Sequence, residues 1–354
     1  MNMLINGHLK QINCGMSLHI WSMHMKTTNP RSRRIVKWLI LLVFLAAALY
    51  FYRGSLAEIL EGIRALSFAQ LIISCLIAIV FFLIEGGIVY YMAHPFESTY
   101  HWGKGIRTAY LCEFYRLLTL GSGSGFAAIY YLQKDGVPYA KGTGITMLQF
   151  VFKKIAVMIL GLMGFLYLLG TPQTSQILCQ YQNAMIIGCV VTILIALFMT
   201  LITVSEKIKD WLLYAIDWLE HKKPKYKQQM EKGRENLILL NDTGKELMTH
   251  KKRFLVLLGL NLMKLIVIYL IPAYILKDIS VLNIPQSVML MAIAYMLAGV
   301  IPAPSGIGSL EFVFLLFFNC FAGEMYTVPA ILVFRFTTWL APFIIGGIIK
   351  MVTS

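Results

Sequence analysis

The sequence predicts an all-α fold: a polytopic integral membrane helical bundle with about six full spans and two re-entrant broken-helix hairpins. Three observations lead there. Of 354 residues, 58% are hydrophobic and 14% charged, whereas a soluble domain carries roughly a quarter charged residues to cover its surface. Six apolar stretches supply the ~20 residues that a spanning helix needs. Two further apolar regions are interrupted near their middles by Gly, Ser and Pro.

The six continuous stretches are about 35–52, 68–92, 144–169, 183–204, 254–276 and 328–349. Charge places their ends, because Lys and Arg accumulate on the cytoplasmic side. The segment before the first stretch holds Lys26, Arg31, Arg33, Arg34 and Lys37 without an acid. Residues 1–34 are therefore expected to be a basic cytoplasmic segment. Within it, Met25 heads the basic run and is an alternative start to Met1, which would make 1–24 an upstream extension. The loop from Thr171 to Asn183 has no charged residue and suits the outer side. The segment 205–253 carries twelve Lys or Arg against eight Asp or Glu and is expected in the cytoplasm. Its Trp211, Leu212, Ala215, Trp218 and Leu219 form an apolar stripe at helical spacing, the pattern of a helix lying in the membrane interface.

These ends decide the interrupted regions, 106–131 and 286–323. A full crossing by 106–131 would put Lys134 and Lys141 outside and the uncharged loop inside. A hairpin that enters and returns on the cytoplasmic side makes every later loop obey the charge rule. The same logic makes 286–323 a hairpin from the outer side and leaves Lys350 and the C-terminus in the cytoplasm. Two hairpins of opposite sense are the mark of an inverted repeat, with broken helices meeting near the midplane.

The first break is Leu120-Gly121-Ser122-Gly123-Ser124-Gly125. Gly123, Gly125 and Ala128 match a dinucleotide-binding spacing, but that motif needs a preceding strand, and this region reads as helix. Gly121, Gly123 and Gly125 instead suit a tight hairpin turn, close backbone approach and free amides for an anionic group. The second break runs from Ile301 to Glu311. Pro302 and Pro304 end one half-helix, Gly306 and Gly308 permit the turn, and Ser309 is placed to cap the next. Glu311 falls in the first turn of that half-helix, where the helix dipole stabilises a carboxylate. It suits pairing with a cation, proton relay or bracing of the hairpin.

Composition excludes several classes. The formal charge of +14 lies beside apolar runs, where it meets anionic headgroups, rather than on a water-facing domain that would bind nucleic acid. The cysteines Cys14, Cys75, Cys112, Cys179, Cys189 and Cys320 show no metal-binding spacing and mostly sit in apolar runs. Neither a metal nor a cofactor is expected, and without a Walker A motif neither is direct ATP drive.

The stretch Pro302-Ala303-Pro304-Ser305-Gly306-Ile307-Gly308-Ser309-Leu310-Glu311, with Arg335 in the following span, resembles the flippase-like membrane domain of lysylphosphatidylglycerol synthases. That family usually shows a Pro-x-Pro-Gly-Gly-Leu-Gly-x-x-Glu hairpin and then an arginine. Ser305 stands here where the first Gly is usual. The break at 120–125 and the Lys134-Asp135-Gly136 turn resemble the family's first hairpin, while Lys153 and Lys154 stand where an arginine–aspartate pattern is expected. The resemblance covers about residues 35–350. It implies a lipid translocator of the bacterial cytoplasmic membrane, moving an anionic, aminoacylated or polyprenyl-linked lipid between leaflets. The chain stops at Ser354, before the soluble aminoacyl-transferase domain of bifunctional members, so the expectation is a transporter and not an enzyme.

Ionisable residues inside apolar segments cost about 2.5–3.5 kcal/mol each at a helix centre and normally face a partner or a cavity. Here they are Glu85, Glu113, Arg116, Lys153, Lys154, Lys264 and Arg335. Snorkelling towards the headgroups is the simple reading for Lys153 or Lys154. Arg335, as a planar fork, and Lys264, as a point charge, suit a lipid phosphate, and Arg335 equally suits a pair with Glu311. The candidate substrate path is thus Glu311, Arg335, Lys264, Arg116 and Glu85, with membrane lipids as partners. The rival reading is a non-transporting scaffold of an envelope-lipid or surface-polysaccharide pathway. In that case the 205–253 segment would recruit a cytoplasmic lipid-modifying enzyme or glycosyltransferase.

Overall fold

The computed structural model describes residues 66–119, 121, 123–172, 174, 182–222, 227–248, 251–301 and 308–353. The expected span at 35–52, the basic segment 1–34, and Pro302, Pro304 and Gly306 lie outside the described residues. The described chain is helical, without strands: α1 (Phe68–Ala93), α2 (Trp102–Leu118), α3 (Gly123–Lys134), α4 (Tyr139–Leu169), α5 (Gln182–Val204), α6 (Glu206–Lys222), α7 (Lys227–Met248), α8 (Lys251–Ile275), α9 (Ile284–Ala298), α10 (Ser309–Ala322), α11 (Glu324–Arg335) and α12 (Ala341–Val352). A π turn, Phe336–Leu340, joins the last two.

Four described segments are long and apolar enough to cross a membrane: α1, α4, α8 and the continuous run Glu324–Val352. A fifth is reached if α5 and α6 count together, but they meet at 94°. That bend takes α6 out of the direction of α5. Within 205–253, Glu206–Lys222 and Lys227–Met248 are helical. On α6, Trp211, Trp218 and Leu219 of the expected stripe are exposed, and Tyr214 joins them. Leu212 turns inward against the core. Helix α7 packs on α4 and α5, with Asn241 buried and donating to the Ile202 carbonyl at 3.2 Å.

The interrupted regions fold as two helix–break–helix pairs, α2–α3 and α9–α10, each with its halves packed together. At 1.5 Å per residue the four helices reach from about 18 Å to about 26 Å, short of the ~30 Å hydrocarbon core. Their breaks turn on Gly121 and Gly308, at φ 106° and 86°, a left-handed region that a Cβ disfavours. Gly123 and Gly125 differ from expectation: both lie in the first turn of α3 rather than in the break. Ser309 is the first helical residue of α10 and not its cap. Glu311 reaches back instead, its Oε2 accepting from the Gly308 amide at 2.9 Å.

Lipid tails are as apolar as leucine, so close packing rather than water exclusion holds such helices together. Small residues mark the tightest contacts. A Cβ on Gly105 of α2 would lie 2.2 Å from the Gly86 carbonyl oxygen of α1. One on Gly164 of α4 would lie 2.6 Å from the Met289 carbonyl oxygen of α9. The largest apolar core brings together α4, α8, α9, α10 and α11 around Tyr269, Met291, Phe314 and Phe318. Capping boxes start two of the helices, Ser67 with Gln70 at α1 and Asn283 with Gln286 at α9.

Candidate functional site

Three carboxylates lie within the bundle, each tied to a cation. Glu85 of α1 accepts from Lys264 Nζ of α8 at 2.5 Å and from Gln149 Nε2 of α4 at 2.8 Å. Lys264 is 1% exposed, so its ammonium is almost wholly out of solvent. Glu113 and Arg116, one turn apart on α2, form the second pair. Arg335, at the end of α11, donates from Nε and a terminal nitrogen to the two oxygens of Glu311, at 2.7 and 2.6 Å. That fork-to-fork geometry suits the planar guanidinium. With the Gly308 contact it ties the second break to the final span.

The π turn lies directly before Pro342. Proline lacks an amide proton, and its ring crowds the carbonyl four residues earlier, which favours a local widening of the helix, although α8 and α11 continue past Pro272 and Pro329. The wider turn at Phe336–Leu340 relieves that clash. It also brings Trp339 against Arg335, whose guanidinium lies 3.9 Å from the ring centroid. The Arg116 guanidinium of the first hairpin lies 5.1 Å from the same ring. One indole thus carries two arginines from opposite ends of the sequence, a cation–π arrangement that strengthens out of water.

These groups surround a cavity of about 270 Å³ built from α1, α2, α3, α4, α8, α9, α11 and the π turn. Its polar wall includes Glu85, Glu113, Arg116, Gln149, Lys153 and Arg335; Phe81, Phe82 and Phe150 form part of its apolar wall. The two hairpins contribute unequally. The first supplies Glu113 and Arg116 from α2 and Ser124 and Gly125 from α3. The second supplies Tyr295 of α9 and otherwise acts through Glu311 on Arg335.

Of the expected path residues, the cavity wall takes Glu85, Arg116 and Arg335, while Lys264 and Glu311 stand behind it as partners. One reading changes: Lys264 is committed to Glu85 instead of standing as a free point charge. Arg335 takes the second of its two expected roles, the pair with Glu311. Lys153 lines the cavity, half-buried, near the middle of α4. Among the described residues it makes neither a hydrogen bond nor an ion pair, although Glu85 and Glu113 both feel its charge. Lys154 turns elsewhere, over the Phe150 ring at 5.6 Å and beside Gly299 at the end of α9, where helix carbonyls favour a cation.

Sequence reasoning gave no role to Gln149, Tyr295 or Trp339. A signal was present for the first: Gln149 and Lys153 are four residues apart in an apolar span, so they share a face. For Trp339 the signal was Pro342, whose effect on the helix sets the indole's place.

The fold and cavity define a polytopic helical membrane protein with a charged chamber walled by a broken-helix hairpin. The sequence model described as "Lysylphosphatidylglycerol synthase TM region" matches residues 34–346, and the chain belongs to that family. The match covers the membrane region and so links the chain to lipid metabolism or translocation in a membrane. No curated protein matches it.

Proposed function

We propose that this chain is a lipid translocator of the bacterial cytoplasmic membrane, with both termini in the cytoplasm. A lipid headgroup enters the cavity and crosses while its tails remain in the bilayer. The observation that carries this reading is Lys153, an ammonium without a carboxylate partner inside a membrane-embedded chamber. Lys153 is half-buried, and the phosphate of an anionic headgroup would give it the charge-assisted partner that the described residues do not. Arg116 lines the same cavity. Lys153 and Arg116 are therefore the phosphate-holding pair, while Glu311 and Arg335 brace the second hairpin. Opposed hairpins related as an inverted repeat would let the chamber open to each leaflet in turn.

A leaflet-accessibility assay on vesicles containing the purified chain tests this. The expected outcome is lipid movement above that of empty vesicles, reduced strongly by Lys153→Gln. Movement equal to empty vesicles across several phosphate-bearing lipids would refute it.

The scaffold reading draws on one observation, the exposed Trp211, Tyr214 and Trp218 on α6. Deleting 205–253 would not separate the two readings, because α7 packs into α4. Replacing those three aromatics with serine leaves α7 in place. A scaffold would lose its function in the cell, and a translocator would keep its lipid movement in vesicles.

A further inference from the structure

We infer that α6 lies along the membrane surface beside the end of α5, and that the partner of its exposed face is a layer of anionic lipid headgroups. To the apolar stripe of the sequence the structure adds direction and the placement of charge. Helix α5 holds 23 residues without a charged side chain, and α6 departs from it at 94°. A helix that leaves a span at a right angle runs in the plane of the membrane. Ile208 and Leu212 pack inward against the core, which fixes the rotation of α6 about its axis.

That rotation sorts the charges. The exposed Trp211, Tyr214 and Trp218 are three and four residues apart and share one face. Lys207 lies four residues before Trp211 and Lys222 four after Trp218, so both extend the same face, and both are exposed. The Lys222 ammonium lies 4.7 Å from the Trp218 ring centroid. Three of the four acids of α6 turn instead to cations of α7. Glu206 pairs with Lys245, Asp217 with Arg234, and Glu220 with Arg234 and Lys227 at 3.3 and 3.4 Å. The fourth, Asp210, is exposed and has Lys209 at 3.9 Å.

The exposed face is thus aromatic and cationic, while α7 neutralises most of the acids that anionic headgroups would repel. Trp and Tyr rings favour the headgroup level, being apolar bodies with a polar edge. Lysines at that level are drawn to anionic lipid. A protein partner fits less well, because lysine is depleted at the cores of protein interfaces. With its aromatics in the headgroup layer, α6 no longer supports the scaffold reading.

Spin labelling of the full chain in lipid nanodiscs tests this. With the native cysteines replaced by alanine, Tyr214→Cys carries one label. Gly233→Cys, at an exposed position of α7 with nothing within 4 Å, carries the reference label. Accessibility to oxygen and to a water-soluble nickel chelate reports depth. In phosphatidylglycerol discs the label at 214 should favour oxygen and that at 233 the chelate. In phosphatidylcholine discs the label at 214 should move towards water. Lys207→Gln or Lys222→Gln alone should lower the immersed-to-free ratio in phosphatidylglycerol about fivefold, the effect of one surface lysine. Both together should erase the difference between the two lipids. Chelate access at 214 equal to that at 233 in both lipids overturns the inference and gives the face to water or protein. Equal immersion in the two lipids overturns the anionic partner. Lipid movement enters none of these readouts, so this inference and the translocator reading fail independently.

Discussion

Arg335 and Glu311 meet through two parallel hydrogen bonds, 2.7 and 2.6 Å long, although 24 residues and a helix break separate them in the chain. The same carboxylate also accepts from the Gly308 amide. One side chain therefore closes the turn, starts α10 and fixes the arginine that stacks on Trp339. Glu311→Gln should lower the stability of the solubilised protein by about 3 kcal/mol, the low end for breaking a buried pair. The low end applies because Glu311 keeps 23% of its exposure. Adding Arg335→Met should recover much of the loss, since no charge is then stranded. Thermal denaturation in detergent measures both.

The Glu85–Lys264 pair should respond asymmetrically. Lys264→Met leaves Glu85 with the Gln149 amide as a donor, whereas Glu85→Gln strands an ammonium that is 1% exposed. The second change should cost about 3–5 kcal/mol and the first clearly less. Equal losses in denaturation midpoint would mean that Gln149 does not support the carboxylate.

Gly105→Ala should destabilise the protein by about 1–3 kcal/mol through overpacking. The added methyl would press on the Gly86 carbonyl, which is backbone and cannot rotate away. Gly259→Ala on α8 meets nothing within 4 Å and is the internal control. It should be neutral or gain about 0.5–1 kcal/mol from helix propensity. Loss of helical circular dichroism on heating reports both.

Pro342→Ala removes the reason for the π turn. The helix can then close to regular geometry, and Trp339 should leave Arg335. We expect stability within about 1 kcal/mol of the parent, because a lost strain offsets the lost contacts. Lipid movement should nevertheless fall. An unchanged rate would show that the indole does not shape the path.

Outside the spans, the Thr99 hydroxyl and amide hold the Glu97 carboxyl below the usual carboxylate range. A depressed carboxylate contributes stability above its unfolded value of about 4.5, and that contribution is lost as pH falls through the lower folded value. Thr99→Val should lower the denaturation midpoint by a constant amount above pH 6 and flatten its acid limb, so that the two curves converge at low pH.

Much of the architecture was legible in one dimension. The apolar runs at 68–92, 144–169, 254–276 and 328–349 became spans with ends shifted by a few residues. Gly121 and Gly308 mark the two turns because a positive φ is a local requirement. The failures were equally physical. Ser309 looked like a cap by its type, yet the helix begins with it and Gly308 holds the cap position. Lys264 looked like a free point charge, yet it is committed to Glu85, which the sequence places 179 residues away.

By itself, then, the sequence determined that this protein lives in a membrane, where its chain spans and where it must turn. Those properties follow from transfer of side chains into lipid and from satisfaction of backbone groups, both summed along the chain. Only the tertiary structure decided which charges cancel. Glu85 and Lys264 are 179 residues apart, and no periodicity announces such a pair. Coulomb energy depends on distance in space, so such a pair appears only once the helices that carry it are packed together.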